Sequence, residues 1–234
     1  IFILEVNPRA SRTVPFVSKA TGKQLAKIAA KTMIGISLKE QRIQTEPAIK
    51  FFAVKGPVFP FNKFPDSDPI LGPEMKSTGE VMGTGNSFGE AYIKSQHAAG
   101  IKIPQDGTVF ISVREPDKTK ALVKLARLLI KKGFSIISTE GTSGYLNSHN
   151  IKSSYINKVH QGQPHIVDLI RKGKINLIIN TTEGKQSIEE SFSIRAEAVI
   201  RDVTYYTSLE ASIATMDAFD YFNMVSVNRL QDFY

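Results

Sequence analysis

The sequence predicts an α/β protein whose second half is a doubly wound parallel sheet, preceded by the incomplete tail of a different α+β domain. Three observations carry this. Short apolar, β-branched runs alternate with amphipathic segments from Thr108 onward. Those runs, such as Phe134-Ser135-Ile136-Ile137 and Leu177-Ile178-Ile179, are nearly continuous in hydrophobicity, as strands covered on both faces are. Upstream of Gly100 the alternation is lost, and prolines cluster among aromatics. The boundary is placed at 101/102, in a Gly- and Pro-bearing stretch with no apolar period.

In the first part, Phe2 to Val6 reads as a strand. Because Ile1-Phe2-Ile3-Leu4 is already apolar, the chain is expected to open inside a domain, as a fragment of something longer. Gln24 to Ile34 is a helix with Leu25, Ile28, Ala29 and Thr32 on one face and Gly35 as its stop. Phe51 to Phe59 is a strand interrupted at Gly56-Pro57. Pro60 to Pro65 is a packed loop, Ser77 to Gly83 a short strand, and Ser87 to Ala99 a helix with Ser87 and Glu90 spaced as a capping box.

In the second part, Thr108 to Val113 is a strand and Asp117 to Lys132 a helix closed by Gly133. Phe134 to Ser138 is a strand, followed by a loop and a helix opening near Ser143. Tyr155 to Val159 is a short strand. Pro164 to Lys172 is a helix with proline in its first turn. Asn176 to Asn180 is a strand. Ser187 to about Arg201 is a helix, Val203 to Leu209 a strand, Glu210 to Phe222 a helix, and Val225 to Asn228 a last strand. Crossovers between parallel strands should be right-handed.

Composition excludes some chemistry. With no cysteine among 234 residues there is no disulfide framework, thiolate metal site or cysteine nucleophile. No apolar run approaches the roughly 20 residues that span a bilayer, and a reducing, cytoplasmic setting is expected. The net charge of +8 asks for an anionic partner. Nucleic acid is disfavoured: Lys118, Lys120, Lys124, Arg127, Lys131 and Lys132 are spread along one helix, tryptophan is absent, and no aromatic-glycine segment resembles an RNA-binding sheet.

Two strand ends carry the candidate site. Ser138-Thr139-Glu140-Gly141-Thr142 and Asn180-Thr181-Thr182 place hydroxyls, an amide and backbone N–H groups at the carboxyl ends of strands, where an open α/β sheet binds anions. The motif alone reads more simply as an ordinary strand-to-helix turn. At the other end of the chain, Glu5 and Asn7 share a strand face and offer two hard oxygen ligands for Mg²⁺ or Mn²⁺. Arg9 and Arg12 follow and could neutralise a phosphoryl group. The alternative there is an edge strand with a surface glutamate and a proline turn.

Several stretches resemble the large chain of carbamoyl-phosphate synthases, in the right order: Glu5-Val6-Asn7-Pro8-Arg9-Ala10-Ser11-Arg12, Pro60-Phe61-Asn62-Lys63-Phe64-Pro65, Leu71-Gly72-Pro73-Glu74-Met75-Lys76-Ser77-Thr78-Gly79-Glu80, Asn157-Lys158-Val159-His160 and Ile178-Ile179-Asn180-Thr181-Thr182. The resemblance implies that residues 1–101 end the second ATP-grasp domain and 102–234 form a methylglyoxal-synthase-like allosteric domain. The parent enzyme would be a glutamine-dependent ligase making carbamoyl phosphate from bicarbonate, ammonia and ATP for arginine and pyrimidine synthesis, in an oligomer with a small glutaminase subunit. Glu5 and Asn7 would bind metal near ATP, and Arg9 and Arg12 the phosphoryl groups. Lys118, Thr139, Thr142, Lys158, Asn180 and Thr182 would bind IMP or UMP, and Tyr205 and Thr207 the activator ornithine. Gly56 stands where an acidic residue is expected, which puts ornithine in question. Glu140 lies in the effector loop and should point outward. The piece alone should bind effectors and be inactive. The alternative is a free-standing lyase of the methylglyoxal synthase kind, whose acid–base candidates (His149, His160, His165 and Asp168) read more simply as surface or capping residues.

Overall fold

The structure is a computed structural model that describes residues 3, 6–43, 49–64, 67–72, 74–224 and 226–233. Glu5 lies outside the described residues, as does most of the strand expected over Phe2 to Val6. Its described members Ile3 and Val6 are exposed and unpaired with any strand. The chain divides into two compact units: residues 1–58, 77–99 and 220–234, and residues 59–76 and 100–219.

The first unit holds α1 (Thr13–Thr21), α2 (Leu25–Met33), β1 (Phe52–Val58), β2 (Gly79–Gly85) and α3 (Phe88–Ala98). Helix α1 was not expected; it admits Pro15 because its first-turn N–H groups have no helical partner. Helix α2 ends as its glycine requires, with Gly35 at φ 94°, and none of its residues is buried. Strand β1 corrects the interrupted reading: it runs through Gly56-Pro57, pairing antiparallel with β2 so that Gly56 faces Val81 and Pro57 faces Glu80. A proline costs no ladder bond where its missing N–H would point away from the partner strand. Helix α3 starts at Ser87, whose hydroxyl accepts from the Glu90 N–H, while the Glu90 carboxylate takes the Asn86 N–H at 2.8 Å. It lies so close to β2 that a Cβ on Gly83 would stand 2.0 Å from the Ala91 carbonyl.

The second unit contains β3 (Gly107–Ser112), α4 (Lys120–Lys131), β4 (Phe134–Ser138), α5 (Glu140–Ser148), β5 (Ser154–Tyr155), α6 (Ile166–Arg171), β6 (Leu177–Asn180), α7 (Lys185–Glu190), α8 (Phe192–Ile200), β7 (Thr204–Tyr206) and α9 (Leu209–Asp217). The five strands form one parallel sheet in the order β5-β4-β3-β6-β7. Val109, Phe110, Ile111, Leu177, Ile178 and Ile179 are buried on both faces of the sheet. Helix α4 packs with α9, and α6 with α8; Phe110 and Ile178 join Ile166, Ile170, Ile194 and Ala198 in one cluster. Burying each such side chain contributes about 1.5–3 kcal/mol, which is why these runs become central strands.

Several boundaries move. Glu115–Asp117 is a separate 3₁₀ turn, so α4 begins at Lys120 after Thr119 rather than at Asp117. Helix α5 begins at Glu140, not near Ser143, so the expected loop is the first turn of a helix. The helix expected from Ser187 to Arg201 is two, α7 and α8, meeting at Ser191; Ser187 sits inside α7 instead of capping it. Strand β7 stops at Tyr206 because Ser208 turns to cap α9, its hydroxyl accepting from the Ala211 N–H. Of the expected last strand, Val225 lies outside the described residues and 226–228 are irregular.

Candidate anion-binding site

The sheet register builds the site. Chain order reverses around β3, which has β4 on one side and β6 on the other. Ser138 pairs beside Ile111, and Asn180 beside Ser112. Three strands therefore end together at a topological switch point, where open α/β sheets leave a crevice. A cavity of about 270 Å³ sits there.

Lys118, Thr139, Thr142, Lys158 and Asn180 all line this cavity. Thr182 does not; Thr181, buried beside it, does. The floor is made of hydroxyls that support the backbone of the neighbouring strand. The Thr142 hydroxyl accepts from the Val113 N–H at 3.2 Å, and the Thr181 hydroxyl from the Arg114 N–H at 3.1 Å. The Ser112 and Thr139 hydroxyls share a hydrogen bond at 3.1 Å. The Thr142 alcohol, accepting from the backbone, keeps its own proton to donate, whereas Thr181 gives its proton to the Asp117 carboxylate.

Above that floor, α5 presents its positive end. Ser143 N–H closes the first helical bond to the Thr139 carbonyl, so the N–H groups ahead of it point forward without helical partners. Asn180 is 4 % exposed and its Nδ2 has no hydrogen-bond partner. A buried amide donor left unmade costs about 1–3 kcal/mol, and Asn180 is among the residues that line the cavity. Lys118 reaches in over Gly141, where a Cβ would stand 3.2 Å from its Nζ. Glu140, by contrast, is exposed, while Thr142 is buried.

Sequence reading missed Ser112, Arg114, Glu115, Ser187, Glu190 and Ser191, which also line the cavity. Ser112 was legible as a third polar strand end; the residues of α7 and Ser191 come into place through the break between α7 and α8. Arg114 Nε donates to Asp117 at 2.9 Å. Burial works against the Asp117 charge, but the guanidinium and the Thr181 hydroxyl outweigh it and hold its carboxyl below the usual range.

The acid–base candidates do not assemble. His149 Nδ1 lies 2.9 Å from the Tyr145 carbonyl. His165 and Asp168 form a helix cap, with the His165 N–H on the Asp168 carboxylate at 2.9 Å. Only His160 reaches the cavity, with Glu190 3.9 Å from its Nδ1. The donors gathered here suit a tetrahedral anion, and these hydrogen bonds of His149, His165 and Asp168 go to groups outside the cavity lining.

Tyr205 lies in β7, partly buried against the core, where burial and then the Asp68 charge push its hydroxyl well above the ordinary value. Thr207 follows the strand, half-buried. Asn7, Arg9 and Arg12 are exposed near the start of the chain.

A sequence model of the MGS-like domain matches residues 121–207, and one of the carbamoyl-phosphate synthase L chain, ATP binding domain, matches residues 1–41. The chain is 50% identical over 232 residues, 99% of its length, to the carbamoyl phosphate synthase large chain of Xanthomonas campestris. It is 54% identical over 220 residues to that of Myxococcus xanthus and 50% identical over 232 residues to that of Pseudomonas putida. The chain is a homologue of carbamoyl phosphate synthase large chains. It spans about a fifth of their length, 21%, 20% and 22% respectively. The MGS-like match thus covers β4 to β7 of the parallel sheet, the part that carries most of the cavity lining. No helix among the described residues is long and apolar enough to cross a membrane.

Proposed function

We propose that this chain is the regulatory end of a glutamine-dependent carbamoyl phosphate synthase large chain, and that its cavity binds the phosphate of a nucleotide effector such as IMP or UMP. The observation that carries this reading is the buried Asn180 amide, its Nδ2 unpartnered, on a residue that lines the same cavity as the first turn of α5. A phosphate monoester supplies the acceptors that both require. Lys118, Thr139, Thr142 and Lys158 complete the shell, and Thr182 would join it only from beside the lining.

The whole enzyme, by this reading, is a cytoplasmic ligase that works with a small glutaminase subunit and the remainder of the large chain. Arg9 and Arg12 would meet phosphoryl groups in it. Among the described residues no group of three acidic or histidine side chains could hold a metal. A Mg²⁺ or Mn²⁺ held by Glu5 and Asn7 would fit that chemistry, because such ions take one or two protein ligands and complete their shell with ATP phosphates and water. When bound, the metal would neutralise phosphate charge during transfer. Phosphoryl transfer needs a whole shell of positioned charge, so the 234-residue chain alone is expected to form no carbamoyl phosphate from ATP, bicarbonate and ammonia; a coupled assay of product checks this.

The deciding test is a thermal-shift panel with IMP, UMP and ornithine. A nucleotide at a hundred times its dissociation constant should stabilise the chain by about 2.7 kcal/mol, and Lys118→Met should weaken that response. Ornithine should give little, since Gly56 supplies no carboxylate for its amine. No shift with either nucleotide would refute the reading.

A further inference from the structure

Lys118 is not waiting alone in the cavity. Its side chain is 15 % exposed, and its Nζ donates to the Glu115 carboxylate at 2.5 Å. Glu115 itself is 81 % exposed and also lines the cavity. Glu115 opens the short 3₁₀ turn that follows β3 and Lys118 ends it. The ammonium is held differently: Gly141 leaves the space it occupies, and it stays beside the first turn of α5.

We propose that Glu115 is an internal competitor for the anion site. In the ligand-free protein its carboxylate occupies Lys118. A bound phosphate takes over the ammonium, and Glu115 swings into solvent. Two observations point the same way. The mobile partner is the carboxylate, since it is largely exposed while Lys118 is confined. The site already contains donors that Glu115 does not satisfy, notably Asn180 Nδ2, so a ligand gains contacts that the glutamate never makes. The exchange therefore lowers affinity without altering the shape of the site, and tunes the concentration at which an effector acts. This inference rests on the anion-site reading above, though not on the ligand being a nucleotide.

The test is calorimetric titration of the 234-residue chain with inorganic phosphate, and separately with UMP and IMP, at low ionic strength. Four proteins are compared: wild type, Glu115→Gln, Lys118→Met and the double variant. Glu115→Gln is expected to tighten phosphate binding roughly two- to fivefold, the size supplied by an ion pair with one exposed partner. In the Lys118→Met background the same substitution should change nothing, because Glu115 acts through that ammonium. Melting temperatures of the four should agree closely, which separates exchange from a folding effect. If phosphate follows this pattern while neither nucleotide binds, the effector reading falls and the exchange stands. Glu115→Gln binding phosphate no tighter than wild type, gaining as much without Lys118, or showing no phosphate binding at all, overturns the proposal.

Discussion

Replacing Asp68 by asparagine is expected to cost the second unit about 3 kcal/mol, the low end of the range for removing one member of a buried ion pair. Arg195 is 2 % exposed, in the middle of α8. Its Nε donates to Asp68 Oδ1 at 2.7 Å, and its Nη2 to Asp68 Oδ2 at 2.6 Å and to the Ile188 carbonyl at 2.8 Å. Nη1 has no partner. The guanidinium thus depends on one carboxylate, carried by a loop that joins this unit from far upstream in sequence. An isosteric amide keeps the shape and removes the charge. The expected fall in melting temperature is roughly 6–12 °C for a domain of this size, read by calorimetry or urea unfolding. Arg195→Met should cost less than Asp68→Asn. Its side chain fills similar space without a charge, and Asp68, at 26 % side-chain exposure, can be hydrated. Equal losses in the two variants would mean that packing, not the ion pair, anchors the loop.

The same pair sets an acid limb. Burial raises the Asp68 carboxyl, but the Arg195 hydrogen bonds and charge outweigh it and hold it below the ordinary value. Asp117 beside Arg114, and Glu197 between Arg171 and Arg201, are depressed against burial in the same way. A carboxyl whose folded pKa is lowered gives its full stabilisation above the unfolded value of about 4. That contribution is lost as pH falls through the lower folded value. Stability should therefore be flat in these groups from neutral pH to about 5 and decline below about 4. In Asp68→Asn the decline should be shallower, because one of the linked protons is gone.

The central strands were legible because their hydrophobicity is uninterrupted. Phe134 to Ser138 is found at the expected residues, and β6 differs from its expected span only by Asn176. Their polar ends, Ser138-Thr139 and Asn180-Thr181, were legible as a pair for the same reason: a buried strand that ends in hydroxyls has left the core. The break at Ser191 was not legible. No glycine or proline marks it, and it is set by α8 turning to pack against α6. The start of α5 was hidden by Gly141 and Gly144, which lower helix propensity by about 1 kcal/mol each. Gly141 is tolerated because it makes room for Lys118. The pairing of Asp68 with Arg195 joins residues 127 positions apart, and no local pattern could announce it.

Asn180→Asp is expected to weaken phosphate and nucleotide binding on the order of a hundredfold, since a hydrogen bond to a charged group contributes about 1.5–3 kcal/mol and here a donor becomes a like charge. The substitution is isosteric, so the cavity keeps its shape. Asn180→Leu then separates binding from folding. In ordinary cores, removing a hydrogen-bonded amide costs stability. Here the Nδ2 has no partner to lose, and a leucine at the buried end of β6 removes a desolvation cost instead. The leucine variant should melt at or above the wild-type temperature in the absence of ligand, yet show no shift with UMP or phosphate. A residue that costs the free protein stability and is recovered only by a ligand marks a site kept for binding. If Asn180→Leu is strongly destabilised without ligand, the amide is structural, and the case for an anion seat at the end of β6 loses its main support.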